Sequence, residues 1–137
     1  MLSLGKLALH HLAIKVIDLE ACEKFYSQVL GLKPSKFPYD ENGPTRSVWL
    51  QSEEVILMLE QVGKGSKPTS KSSASVKPGL HLIAFAIGRF ERNQWKERLT
   101  MNGVSIEAES DFTIYFRDPE GNRVALSHYP DPISEAA

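Results

Sequence analysis

At 137 residues, 42% hydrophobic and 24% charged, the chain has the size and apolar content of one globular domain with a buried core, which excludes a disordered segment or a disulfide scaffold. Its 16 Lys and Arg stand against 17 Asp and Glu, so the charge balance calls for neither nucleic acid nor a membrane surface and leaves a small-molecule partner as the expectation. The single cysteine, Cys22, cannot form an internal disulfide, and no N-terminal apolar stretch is long enough for a signal peptide or a membrane span, which together predict a cytoplasmic protein.

Leu9 to Val16 alternates, with Leu12, Ile14 and Val16 on one face and His11, Ala13 and Lys15 on the other, the period of a half-buried strand. Asp18 caps a helix through Leu19, Cys22, Phe25, Tyr26 and Val29, and Gly31 stops it. Cys22, Phe25 and Tyr26 at helical spacing read as core. A short extended piece at Leu32 to Lys36 precedes two strands, Thr45 to Gln51 and Val55 to Gln61, joined by the polar turn Ser52-Glu53-Glu54. The stretch 63–79 is rich in Ser, Lys, Gly and Pro and lacks acids. It reads as a linker, with Lys64, Lys67, Lys71 and Lys77 solvated and with the least order of any internal segment.

The same order then returns. Leu80 to Ile87 reads as a strand, Phe90 to Met101 as a helix carrying Phe90, Trp95 and Leu99, and Gly103 as its end. Strands follow at Val104 to Glu107, Phe112 to Arg117 and Arg123 to His128, the last two joined by the tight turn Asp118-Pro119-Glu120-Gly121-Asn122. A shift of 70 residues sets His11-Leu12 on His81-Leu82, Ile17 on Ile87, Phe25 on Trp95 and Val29 on Leu99. Two βαβββ modules are predicted, at about 7–62 and 80–130, forming one α+β domain. His11 and His81 open the two copies at equal places, a pattern from which a metal site is often built and which equally suits structural hydrogen bonding.

The run from His11 to Leu19, followed by Phe25-Tyr26 and by Val29-Leu30-Gly31-Leu32, resembles the opening of the vicinal oxygen chelate superfamily, which includes glyoxalase I, fosfomycin- and bleomycin-resistance proteins and extradiol dioxygenases. Pro78-Gly79-Leu80-His81 resembles the start of that family's second module, and Tyr115-Phe116-Arg117-Asp118-Pro119-Glu120-Gly121-Asn122-Arg123 its closing hairpin. The resemblance implies four metal-ligand positions. Two fall on His11 and His81. The others, commonly Glu, are the centres of the triplets Leu57-Met58-Leu59 and Val124-Ala125-Leu126, so Met58 and Ala125 replace the carboxylates. Glyoxalase-type proton transfer needs a divalent ion and a carboxylate base, and two imidazoles alone hold an ion weakly.

Glu60 lies two residues beyond Met58, on the same strand face but further along. His128 has the wrong parity relative to Ala125 and His10 relative to His11, which favours packing roles. Alternation sets His11, Ala13, Lys15, Met58, Glu60, His81, Ile83, Phe85, Ala125 and Ser127 on a concave sheet face, with Arg46, Trp49 and Tyr115 as further candidates. This mostly apolar lining with a few polar groups suits a small-molecule pocket, to which Met58, Glu60, Phe85, Tyr115 and Ala125 would contribute. Two functions follow: a metal-free binding protein of the bleomycin-resistance kind, or a glyoxalase-like or dioxygenase-like metalloenzyme in which His11 and His81 hold Zn, Ni, Mn or Fe weakly and Glu60 assists. Open sheet edges predict a homodimer in either case.

Overall fold

The computed structural model describes residues 4–5, 8–35, 47–62 and 79–133. Arg46, the linker up to Pro78 and its four lysines lie outside them. The chain divides into two compact units, Met1–Ser66 and Lys67–Ala137, each built on a four-stranded sheet.

In the first unit β1 (His11–Val16) leads into α1 (Leu19–Lys24), then β2 (Lys33–Pro34), β3 (Ser47–Ser52) and β4 (Val55–Gln61). The sheet order is β1-β4-β3-β2, with β1 and β4 parallel. Asp18 caps α1 as predicted, its carboxylate accepting from Ala21 N at 3.0 Å. After Lys24 the helix widens into a π-helical turn, Phe25–Val29, closed by Leu30 N donating to Phe25 O at 3.1 Å. The cause is local: the Ser27 hydroxyl donates to Glu23 O at 2.6 Å, competing with the backbone for that carbonyl. Gly31 follows at φ +83°, a conformation that favours glycine. Val16, Leu19, Cys22, Phe25, Tyr26, Leu50, Leu57 and Leu59 are buried. Cys22 is therefore core, as its helical spacing predicts.

In the second unit β5 (Ile83–Ala86) leads into α2 (Arg92–Met101) through a 3-10 turn at Arg89–Glu91, and β6 (Ala108–Glu109), β7 (Thr113–Arg117) and β8 (Arg123–Ser127) follow in the sheet order β5-β8-β7-β6. Ile114, Phe116, Val124 and Leu126 share one sheet face and are buried, as is Leu99 of α2. Three expectations are corrected. The strand expected at Leu80 to Ile87 begins only at Ile83, where pairing with β8 starts, and Leu80 and His81 are exposed. The strand expected at Val104 to Glu107 lies at Ala108–Glu109, because Val104 N turns back to Leu99 O to finish α2 and the ladder opens only with Glu107 N donating to Tyr115 O. Phe90, expected on the apolar face of the helix, falls in the preceding 3-10 turn and is exposed, with the Arg89 guanidinium 4.5 Å above its ring.

Arg92, 3% exposed, fastens the start of α2 to the sheet. Its Nη2 donates to Glu109 Oε1 and Ser110 O, and its Nη1 bonds His128 Nε2 at 2.9 Å. His128 Nδ1 lies 2.6 Å from Asp131 O, which only accepts, so Nδ1 carries the hydrogen and Nε2 receives the Arg92 proton. Among the described residues no helix is long and apolar enough to cross a membrane.

Asp118, 4% exposed, closes the β7–β8 turn by accepting from Glu120 N, Asn122 N and Asn122 Nδ2 at 2.8–2.9 Å. Asp118→Ala leaves these donors unanswered and is expected to lower unfolding free energy by about 2–3 kcal/mol in urea titration. The hydrogen bond from Lys96, then that from Arg92, holds the Glu109 carboxyl below the ordinary glutamate range. The stabilisation it confers is complete above the ordinary glutamate value and is lost as pH falls through the lowered folded value. Glu109→Gln is expected to flatten the acid limb of melting temperature against pH; an unchanged limb refutes this.

Candidate functional site

Because paired residues of neighbouring strands project to the same side of a sheet, the register states which side chains share a face. In the first unit His11 pairs with Ile56, Ala13 with Met58 and Lys15 with Glu60. On the other side of β4, Ser47 is opposite Glu60, Trp49 opposite Met58 and Gln51 opposite Ile56. His11, Ala13, Lys15, Met58 and Glu60 thus occupy one face, and Trp49 joins them. The His11 ring lies 14° from the Trp49 plane with centroids 6.2 Å apart. His10 Nδ1 is 3.0 Å from His11 Nδ1, so one imidazole donates to the other. This face pairs an aromatic platform with a thioether, and the carboxylate of Glu60 stands beside the cationic Lys15 in the register.

The second unit breaks the expected symmetry. Ala125 pairs with Ala84 and Ser127 with Ala86, whereas Ile83 pairs with Val124 and Phe85 with Leu126. Ile83 and Phe85 therefore lie on the packed face with Val124 and Leu126, which corrects their placement beside Ala125 and removes Phe85 from the open face. Matching the units by their sheets sets the pair Ala84–Ala125 on Ala13–Met58. The first strands are then offset by 71 residues instead of 70, and the place of His11 falls on Leu82. His81 stands one residue before that place, and one residue is the shift that exchanges the faces of a strand.

His81 instead precedes β5, and its Nε2 lies 2.9 Å from Arg123 Nη1. Since arginine only donates, Nε2 is the acceptor and the imidazole is the neutral Nδ1–H tautomer. Arg123 also lies over the Tyr115 ring, 4.3 Å from its centroid. Tyr115 pairs with Ala125, and Arg117 with Arg123, so Tyr115, Arg117, Arg123 and Ala125 share the open face of this sheet. Glu107 answers the like-charged pair, accepting from Arg117 Nε at 2.7 Å and Nη2 at 3.0 Å. Those hydrogen bonds raise the Arg117 pKa further above its ordinary value. Sequence reading missed Glu107, Arg117 and Arg123, although two arginines at paired hairpin positions are a detectable signal, because such repulsion calls for an acid nearby.

No group of three or more His, Cys, Asp or Glu side chains able to hold a metal ion occurs among the described residues. A shallow cavity of about 340 Å³ lies against α2, lined by Lys96, Glu97, Thr100, Met101 and Ile106, and contains none of the sequence candidates.

The Glyoxalase/Bleomycin resistance protein/Dioxygenase superfamily profile matches residues 8–126. A glyoxalase/dioxygenase from Nostoc punctiforme has a similar structure at 19% identity and TM-score 0.75, covering 94% of this chain and all of its own. Lactoylglutathione lyase from Agrobacterium tumefaciens is similar at 23% identity and TM-score 0.66, over 89% of this chain and 93% of its own. So is a mutant of the fosfomycin resistance protein FosX from Listeria monocytogenes, complexed with Mn(II) and 1S,2S-dihydroxypropylphosphonic acid, at 18% identity and TM-score 0.67 over 88% and 91%.

The Glu107–Arg117 pair yields a further expectation. With Arg117 17% and Glu107 40% exposed, solvent screens the pair, and Glu107→Ala is expected to cost about 1 kcal/mol in chemical unfolding. A loss as large as that of Asp118→Ala would contradict this assignment.

Proposed function

The chain belongs to the Glyoxalase/Bleomycin resistance protein/Dioxygenase superfamily, and within it we propose that it binds a small organic molecule on an open sheet face and keeps no resident catalytic metal. The observation that carries this reading is the make-up of the places that the family's metal chemistry uses. Met58 stands beside Ala13, and Ala125 beside Ala84. Neither residue supplies the carboxylate that polarisation and proton transfer require. A thioether is a soft ligand poorly matched to hard divalent ions, and a methyl group is none.

The two histidines do not repair the deficit. His11 has Ile56, Met58 and Ala13 as strand neighbours, and its ring packs on Trp49. His81 Nε2 is held by a guanidinium, so an ion there would displace one positive charge with another. Glu60, the substitute acid, stands beside Lys15. The donors therefore do not fit a retained divalent ion. What this face offers is contact: Trp49 and His11 as a flat platform, Met58 as an adaptable apolar surface, and Gln51 and Glu60 as polar groups at its margin.

The Mn(II) of the Listeria FosX complex makes metal content the decisive measurement. Protein purified without chelator and dialysed is expected to carry Zn, Ni, Mn and Fe well below one ion per chain by elemental analysis. It is expected to show no turnover of the methylglyoxal–glutathione hemithioacetal with Ni or Zn added. Stoichiometric metal surviving dialysis, or turnover at the level of a lactoylglutathione lyase, overturns the reading in favour of the metalloenzyme. The reading extends to a homodimer joined through open strand edges, for which sedimentation velocity at micromolar concentration is the test and a monomer the contrary result.

A further inference from the structure

Three arginines of the second unit are held among the described residues in ways that can be compared nitrogen by nitrogen. Arg92 leaves Nε buried without a hydrogen bond, but it uses Nη1 on His128 and Nη2 on Glu109 and Ser110, and thereby meets a carboxylate. Arg117 uses all three nitrogens, Nε and Nη2 on Glu107 and Nη1 on Gly121 O. Arg123 uses one. Its Nη1 donates to the neutral His81, its Nε is buried without a hydrogen bond, and Nη2 makes none. The nearest carboxylate oxygen, Glu107 Oε1, is 3.9 Å from Nε, beyond hydrogen-bond distance, and both oxygens of that group are bonded to Arg117.

The Arg123 side chain is only 20% exposed. A cation so far removed from water costs free energy unless an opposite charge answers it, and the cluster contains two arginines against one glutamate. Its position is nevertheless fixed from two directions, by the Tyr115 ring under the guanidinium plane and by His81 at Nη1. An oriented, incompletely answered guanidinium with a hydrogen-bonding edge to spare is what recognition of an oxyanion requires, because its N–H groups match two oxygens at once.

We infer that Arg123 anchors an oxyanion of the bound molecule, a carboxylate or a phosphate-type group, and that His81 is the positioning residue that aims it. The inference rests on the small-molecule-binding reading and gives a molecule held on the second unit's open face a charge and a point of attachment. It also gives His81 a role incompatible with metal ligation, since the same Nε2 lone pair serves only one of the two.

The test is a titration of the ¹⁵N-labelled full chain with sodium phosphate and, separately, sodium acetate, at ionic strength held constant with chloride, following the Arg123 Nε–Hε resonance in the wild type and the backbone amides of Tyr115 and Ala125, on the same face, in every variant. Saturable binding of at least one probe is expected, and whichever binds more tightly identifies the tetrahedral or the planar class. Arg123→Gln and Arg123→Lys are each expected to raise Kd about tenfold or more, the second because a lysine keeps the charge and loses the fork. Arg98→Gln on α2, whose guanidinium lies over Trp95, leaves Kd unchanged. His81→Leu is expected to raise Kd severalfold, whereas His81→Gln, whose amide oxygen can accept from Arg123, restores it, a rescue that a purely structural role does not predict. Should Arg123→Gln fail to fold, Arg123→Lys and the His81 pair decide the matter. Binding of neither anion, equal Kd in wild type and Arg123→Lys, or equal Kd in the two His81 variants overturns the inference. The titration needs no metal and no natural ligand, so its failure is separate from a stoichiometric metal content, which removes the preceding reading instead.

Discussion

The parallel pairing of the first and last strand in each unit is the constraint on which the rest depends. β1 against β4 and β5 against β8 determine which side chains are sealed beneath the sheet and which remain on its open face. A slip of one residue in either pairing exchanges the two sets completely. The apolar sets are distinctive enough to fix the choice: Leu57 and Leu59 in one unit, Val124 and Leu126 in the other, all buried. Once those are sealed, Met58 and Ala125 project from the opposite face of their sheets whatever their chemistry, and Ala125 is itself covered there.

Charge is handled differently in the places where the second unit buries it. Arg92 meets Glu109, which Lys96 also holds, and the resulting network ties the helix to the sheet. Arg117 and Glu107 lock the third strand of the sheet to the fourth. Arg123, in the same cluster, is aimed by a histidine and an aromatic ring, and its one carboxylate neighbour, Glu107 at 3.9 Å, is hydrogen-bonded to Arg117 instead. A partly buried cation whose hydrogen bonds go to neutral partners contributes little to stability, and its incompletely answered charge is what the proposed oxyanion would meet.

The fold is common to proteins of several activities, and function is decided by the few residues on the open faces. In the proposed reading, Met58 and Ala125 set a thioether and a methyl group, not hard donors, on the open faces. The open face of the first unit carries an aromatic platform, and that of the second an oriented guanidinium. Apolar contact and one charge-assisted hydrogen bond are the ordinary means by which a protein holds a small organic anion, and neither needs a metal.

Much of this was legible in the chain itself, because it rests on local physics. The alternation of Leu12, Ile14 and Val16 against His11, Ala13 and Lys15, the cap at Asp18, the stops at Gly31 and Gly103 and the turn at Asp118 follow from side-chain periodicity and backbone preference within a few residues. The order of elements in each half, and with it the α+β class, was readable in the same way. The partner of each strand was not. In Leu80-His81-Leu82-Ile83 every second residue on either parity is compatible with a strand, and only pairing to Val124 and Leu126 decides that Ile83 and Phe85 turn inward and that Leu82 takes the place of His11. The ring beneath Arg123, the acid claimed by Arg117 and the imidazole that accepts from Arg123 come from stretches up to 42 residues apart in sequence. Periodicity specifies the face of a strand relative to itself, whereas contacts between distant segments belong to the tertiary structure alone.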